Sequence, residues 1–138
     1  MSDPTTPSQF IRLLLIDDEE GYVDVLTKRL TRRQVAVTKA LNGSEAIRAL
    51  RRQDFDVALL DLKMEDIDGI EVLKIFRRID PGMEVIMLTG HGSEQAARDA
   101  ISLGAFDYLT KPYELEALLA KIREAFNKKT ANLASNKG

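Results

Sequence analysis

Residues 56–61 read Asp-Val-Ala-Leu-Leu-Asp. Four consecutive aliphatic residues between two carboxylates do not alternate apolar with polar, as a strand with one wet face would. They suit a strand covered on both sides, the usual situation in a parallel sheet. Residues 84–89, Glu-Val-Ile-Met-Leu-Thr, have the same character. Three more short runs of aliphatic or β-branched residues accompany them: Ile11 to Asp17, Val35 to Ala40 and Phe106 to Leu109. Between the runs lie stretches with a 3.6-residue apolar period. Val23, Leu26 and Leu30 share one face, and Val72, Ile75, Phe76 and Ile79 share another. Leu115, Leu118, Leu119, Ile122 and Phe126 form the last stripe. Asp68 with Glu71, and Asn42 with Glu45, have the spacing of a helix N-cap and its reciprocal partner. Gly104 stands where a helix needs a left-handed residue after its last turn, and Asp80-Pro81-Gly82 marks a turn.

Five strand–helix pairs in regular alternation predict an α/β fold, (βα)5, with a doubly wound parallel sheet and helices on both faces. Residues 1–10 hold Pro4 and Pro7 among small polar residues and are expected to form a flexible N-terminal arm. The folded domain is expected over residues 11–127. After Phe126 apolar content falls, so residues 128–138 are expected to form a flexible tail or linker.

The 138 residues suffice for one domain with a real core. Hydrophobic content of 44% and charged content of 30% are ordinary for a globular protein. A net charge of −2 gives no basic excess, so this segment is not expected to contact nucleic acid. The absence of cysteine excludes disulfides and thiolate metal sites, and a single histidine argues against zinc. No apolar run approaches the roughly 20 residues needed to span a bilayer, and the N-terminus lacks the pattern of a signal peptide. No membrane association is expected, and a cytoplasmic location is the default.

Open parallel sheets bind ligands beyond the carboxyl ends of their strands. Polar residues stand there in four places. Asp17 and Asp18 follow Ile-Arg-Leu-Leu-Leu-Ile, Asp61 follows Asp-Val-Ala-Leu-Leu, Thr89 follows Glu-Val-Ile-Met-Leu, and Lys111 follows Ala-Phe-Asp-Tyr-Leu-Thr. Side by side, these ends would put three carboxylates, a hydroxyl and an ammonium in one pocket. Converging carboxylates need a cation or must shift their pKa values upward. Oxygen ligands without His or Cys favour Mg2+, with Mn2+ possible. Magnesium uses only one or two carboxylates directly, which leaves room for phosphoryl oxygens and a carboxylate free to act as nucleophile. Lys111 and Thr89 would then face the phosphoryl group as a cation and a hydroxyl donor.

The stretches Leu-Leu-Leu-Ile-Asp-Asp-Glu (13–19), Val-Ala-Leu-Leu-Asp-Leu-Lys-Met-Glu-Asp-Ile-Asp-Gly (57–69), Val-Ile-Met-Leu-Thr-Gly-His-Gly-Ser (85–93) and Gly-Ala-Phe-Asp-Tyr-Leu-Thr-Lys-Pro (104–112) closely resemble the receiver domains of two-component response regulators. The likeness covers about residues 11 to 127. It implies a flavodoxin-like topology with strand order 2-1-3-4-5. By the resemblance, Asp61 matches the phosphoacceptor, and Asp17 and Asp18 match the acidic pair that holds the metal. Lys63 matches the position whose backbone carbonyl completes the metal shell. Thr89 and Lys111 match the residues that meet the phosphoryl group, and Tyr108 matches the aromatic switch residue that moves with the threonine. The resemblance further implies a cis Lys111-Pro112 bond. It also implies a sensor histidine kinase or histidine phosphotransfer protein as donor, and an output face of the fourth helix, fifth strand and fifth helix serving a partner or a homodimer. One departure stands out: Glu65 occupies the place four residues after Asp61 where many members have proline. With Asp66 and Asp68 nearby, this predicts a looser, more acidic loop and an altered metal affinity or phosphoryl lifetime.

Two other functions fit an acidic pocket on such a sheet. A Mg2+-dependent phosphatase with an aspartyl nucleophile would usually show Asp-x-Asp after the first strand, whereas this chain has adjacent Asp17-Asp18. A flavin-binding electron carrier would need a phosphate-cradling first loop, whereas Asp-Asp-Glu-Glu-Gly repels phosphate.

Overall fold

The computed structural model describes residues 10–90 and 92–137, with side chains described as far as Leu133. The expected arm lies almost wholly outside the described residues, as does His91. Five strands, β1 (Ile11–Ile16), β2 (Val35–Ala40), β3 (Val57–Asp61), β4 (Glu84–Thr89) and β5 (Asp107–Thr110), alternate with five helices: α1 (Glu20–Thr31), α2 (Gly43–Arg52), α3 (Gly69–Ile79), α4 (Glu94–Ser102) and α5 (Leu115–Lys137). All neighbouring strands are parallel, in the order β2-β1-β3-β4-β5.

Because side chains alternate across a strand, the sheet feeds two cores. Leu14, Ile16, Ala58, Leu60, Val85 and Met87 face α2, α3 and α4 and pack with residues such as Leu50, Val72, Leu73 and Phe76. Their neighbours Leu13, Leu15, Val57, Leu59, Ile86 and Leu88 face α1 and α5 and pack with Val23, Leu26, Leu30, Leu118 and Ile122. This is why β3 and β4 show no alternation in sequence: every residue of both is buried. Each buried Val, Leu, Ile or Met side chain among them stabilises the fold by about 1.5–3 kcal/mol.

Helix ends follow local chemistry. Asn42 accepts from Glu45 N–H at 2.8 Å, while the Glu45 carboxylate reaches back to Leu41 N–H. Asp68 caps α3 through Ile70 N–H at 3.1 Å, but Glu71 turns to Lys74 and does not close the expected reciprocal cap. Gly104, at φ +107°, ends α4: its N–H donates to Ile101 O, and Ala105 N–H donates to Ala100 O. Strand β5 sits one residue later than expected, because Lys111 N–H still donates to Thr89 O at 2.7 Å and carries the pairing onward.

The stretch expected to be a flexible tail is helical as far as Lys137, a continuation of α5. Residues 128–137 contain neither Gly nor Pro to stop it, and the added turns are fastened to the sheet. Lys129 is buried, its Nζ 2.8 Å from Asp56 Oδ1 and 3.3 Å from Phe55 O. The folded body therefore extends past residue 127.

Candidate functional site

The strand order reverses between β1 and β3, both of which run toward the same sheet edge. Ile16 is in register with Leu60, and Asp61 with Leu88. Asp17, one residue past β1, therefore lies level with Asp61, with Thr89 one residue farther along β4. Thr89 pairs with Thr110, so Lys111 follows on at the same edge. Parallel register alone brings these residues to one end of the sheet.

Asp17, Asp18 and Asp61 each offer a carboxylate oxygen, and these oxygens lie within 4.8 Å of one another. Asp17 is fully buried and Asp18 is exposed. Asp17 Oδ1 accepts from Glu19 N–H at 3.0 Å, and Oδ2 accepts from Lys111 Nζ at 2.7 Å. Asp61 is buried and accepts from Lys63 N–H at 3.4 Å. Burial first, and then the charge of Asp17, push the Asp61 carboxyl up to about 6; Lys111 and the Lys63 N–H oppose the rise, and Asp18 adds to it. The donor set is all oxygen. It fits a hard divalent cation, which would relieve the repulsion that raises Asp61.

Thr89 is buried, and its hydroxyl donates to Gly90 O at 3.2 Å. Lys63 presents its side chain to solvent, so its backbone is the part that faces Asp61. Tyr108 is half-buried at the margin of the core under α2, α3 and α4. The Lys111-Pro112 peptide is cis, as expected. The fold thus brings together Asp17, Asp18, Asp61 and Lys111, with Thr89 and Tyr108 on the adjoining strands.

Sequence reasoning missed two tyrosines. Lys111 Nζ lies 4.4 Å from the centre of the Tyr22 ring, a cation–π contact. The Tyr22 hydroxyl hydrogen-bonds to that of Tyr113. Burial, and then Asp17, hold the Tyr113 phenol well above its ordinary range. The two residues are 91 positions apart, and only their closeness to Asp17 and Lys111 in the chain hinted at a shared role. The acidic loop after Asp61 is tied to the start of α2. Asp66, though exposed, accepts hydrogen bonds from Gly43 N–H, Ser44 N–H, Ser44 Oγ and Ile67 N–H.

A doubly wound parallel sheet in the order β2-β1-β3-β4-β5, with an acidic cluster that could hold a metal ion at its switch point, defines an α/β domain of flavodoxin-like topology. More specifically, the chain belongs to the response regulator receiver domain family, whose profile matches residues 13–123. It is 40% identical over 113 residues to the transcriptional regulatory protein GlrR of Escherichia coli K12, covering 82% of this chain and 26% of that protein. It is 37% identical over 113 residues to the uncharacterized transcriptional regulatory protein YkoG of Bacillus subtilis, covering 82% of this chain and 50% of YkoG. The chain thus spans a quarter to a half of these relatives. Among solved structures, a response regulator receiver domain protein from Clostridium thermocellum superposes with a TM-score of 0.85 at 33% identity, covering 88% of this chain and 98% of that one.

Proposed function

We propose that this domain is a phosphorylation switch whose acceptor is Asp61. The observation that carries the reading is the trio of carboxylate oxygens within 4.8 Å, with Lys111 held against it. Asp17, Asp18, Asp61 and the Lys63 carbonyl would hold Mg2+, or Mn2+ in its place. The ion would neutralise charge on the phosphoryl oxygens as transfer occurs.

The donor is a phosphohistidine on a sensor kinase or a histidine phosphotransfer protein. An Asp61 carboxylate oxygen attacks phosphorus; the O–P bond forms, the P–N bond breaks, and the leaving imidazole takes up a proton. Phosphorylation brings the residue to about −1.5 to −2 charges. Lys111, now paired with Asp17, gains a second anion to contact. The Thr89 hydroxyl exchanges Gly90 O for a phosphoryl oxygen, and Tyr108 repacks in the space it leaves. The change reaches the face of α4, β5 and α5, where Ile101 and Leu103 are exposed apolar side chains suited to a partner or a second copy. Such a coupling is a population shift between two packings. We place the event in the cytoplasm, upstream of a transcriptional output like those named for the relatives.

Acetyl phosphate with Mg2+ should add one phosphoryl group, read by intact mass. Modification that persists in Asp61→Asn would overturn the choice of acceptor.

A further inference from the structure

The N–H groups of Gly43, Ser44 and Glu45, in the first turn of α2, have no acceptor within the helix. Asn42 accepts from Glu45 with its side chain at 2.8 Å. The other two donors are satisfied from the β3–α3 loop. Asp66 Oδ1 accepts from Gly43 N–H at 3.0 Å, and Oδ2 accepts from Ser44 N–H and Ser44 Oγ, both at 3.1 Å. Asp66 Oδ1 also accepts from its own neighbour, Ile67 N–H, at 2.7 Å. An anion at a helix N-terminus is favoured by the aligned peptide dipoles as well as by the bonds themselves.

Two glycines bring the backbones close enough for this loop to be fixed. A Cβ on Gly43 would lie 2.9 Å from Val72 Cγ2 and 3.1 Å from Ile67 Cβ, so the loop backs directly onto the start of α2. At the far end Gly69 N–H donates to Leu62 O at 3.2 Å. A Cβ there would meet Asp61 O and Leu62 O, each at 2.7 Å. Lys63, whose N–H donates to Asp61, lies in the span between these fastenings.

We propose that Asp66 is a positioning residue of the phosphoacceptor pocket. By capping α2 it fixes the loop that carries the Lys63 carbonyl, a restraint supplied by hydrogen bonds in a loop that has Glu65 and no proline. The inference rests on the proposed metal role of Asp61 and Lys63.

Asp66→Ala, Asp66→Asn and Asn42→Ala separate the possibilities. Asn42→Ala uncaps the same helix end without touching the loop. Magnesium affinity is measured by calorimetry, and amide hydrogen exchange across residues 62–68 is measured without metal. Asp66→Ala should weaken Mg2+ binding about tenfold and speed loop exchange about tenfold. Asp66→Asn, which keeps one side-chain oxygen, should recover part of both. Asn42→Ala should lower the melting temperature yet leave affinity and loop exchange within about twofold of wild type. Wild-type loop exchange in Asp66→Ala, or equal effects from Asn42→Ala, would overturn the proposal. If the wild-type protein binds no Mg2+, the reading of the pocket fails, and loop exchange alone decides whether Asp66 is the clamp.

Discussion

Lys111 Nζ sits 2.7 Å from Asp17 Oδ2, joining the end of β1 to the end of β5 across the pocket. Asp17 is fully buried and Lys111 is largely so, with the Tyr22 ring behind the ammonium. The pair is therefore shielded from solvent screening and differs from a surface salt bridge.

Removing the ammonium leaves a buried carboxylate facing two others. Lys111→Met should destabilise the metal-free protein by about 3 kcal/mol, the scale for breaking a buried pair. A bound divalent cation replaces the missing positive charge, so the deficit should shrink as Mg2+ is added. Urea denaturation of both proteins with and without Mg2+ checks this. A deficit unaffected by the metal would show that Lys111 acts by packing alone.

Asp61 should make stability depend on pH in the opposite sense to an ordinary paired carboxylate. Its folded value of about 6 lies above the ordinary 3.8, so the folded state holds its proton longer than the unfolded chain does. The resulting cost is absent below 3.8, grows as pH rises, and is complete above 6. Asp61→Asn removes it. The variant should be more stable by about 1–2 kcal/mol at neutral pH, after allowance for partial solvent screening. Near pH 4 the difference should vanish. Denaturant midpoints at the two pH values measure it, and equal gains at both would refute the electrostatic cause.

The strand ends were legible in the sequence because parallel pairing turns a one-dimensional pattern into a shared edge. Once Ile16 aligns with Leu60, and Leu88 with Leu109, the residues after them have nowhere else to be. Interactions set by distant backbone proximity were not legible. Asp66 reads as a loop acid until α2, 23 residues earlier, is known to lie against it. Tyr22 and Tyr113 carry no mark of a shared role until α1 and the turn before α5 converge on Lys111. Lys129 reads as solvated in Asn-Lys-Lys-Thr-Ala-Asn, and only the opposite edge of the sheet reveals its partner.

That edge yields a second pH effect. Burial alone would raise the Asp56 carboxyl, but hydrogen bonds from Arg12 and Lys129 outweigh it and hold the group below its ordinary value. A depressed carboxyl contributes stability that is full above the unfolded value and is lost as pH falls through the folded one. Lys129→Met should cost about 1–3 kcal/mol at neutral pH, less than a fully broken pair because Arg12 still holds Asp56. The cost should diminish below about pH 4 as Asp56 protonates. Chain ending at Asn127 should lose at least as much, since it also gives up the Lys128 contact to Glu84. Thermal melts of the three proteins test whether the last turns of α5 belong to the domain.

Gly69 and Gly43 separate a rigid obstacle from a yielding one. A methyl group at Gly69 meets the carbonyl oxygens of Asp61 and Leu62 and the Leu62 Cα, all backbone and all within 2.9 Å. At Gly43 it meets side-chain atoms of Val72 and Ile67, both β-branched and stiff, which give way by shifting and not by rotating. Gly69→Ala should therefore destabilise by about 2–3 kcal/mol through overpacking, and Gly43→Ala by about 1–2 kcal/mol. Only the first moves the peptide that carries the Asp61 carboxylate. Gly69→Ala should thus also weaken Mg2+ binding and slow phosphorylation by acetyl phosphate, whereas Gly43→Ala should change them less. Calorimetric Mg2+ titration alongside denaturation checks both halves. If Gly69→Ala lost stability while keeping wild-type metal affinity, the close approach of α3 to β3 would serve packing and not the pocket.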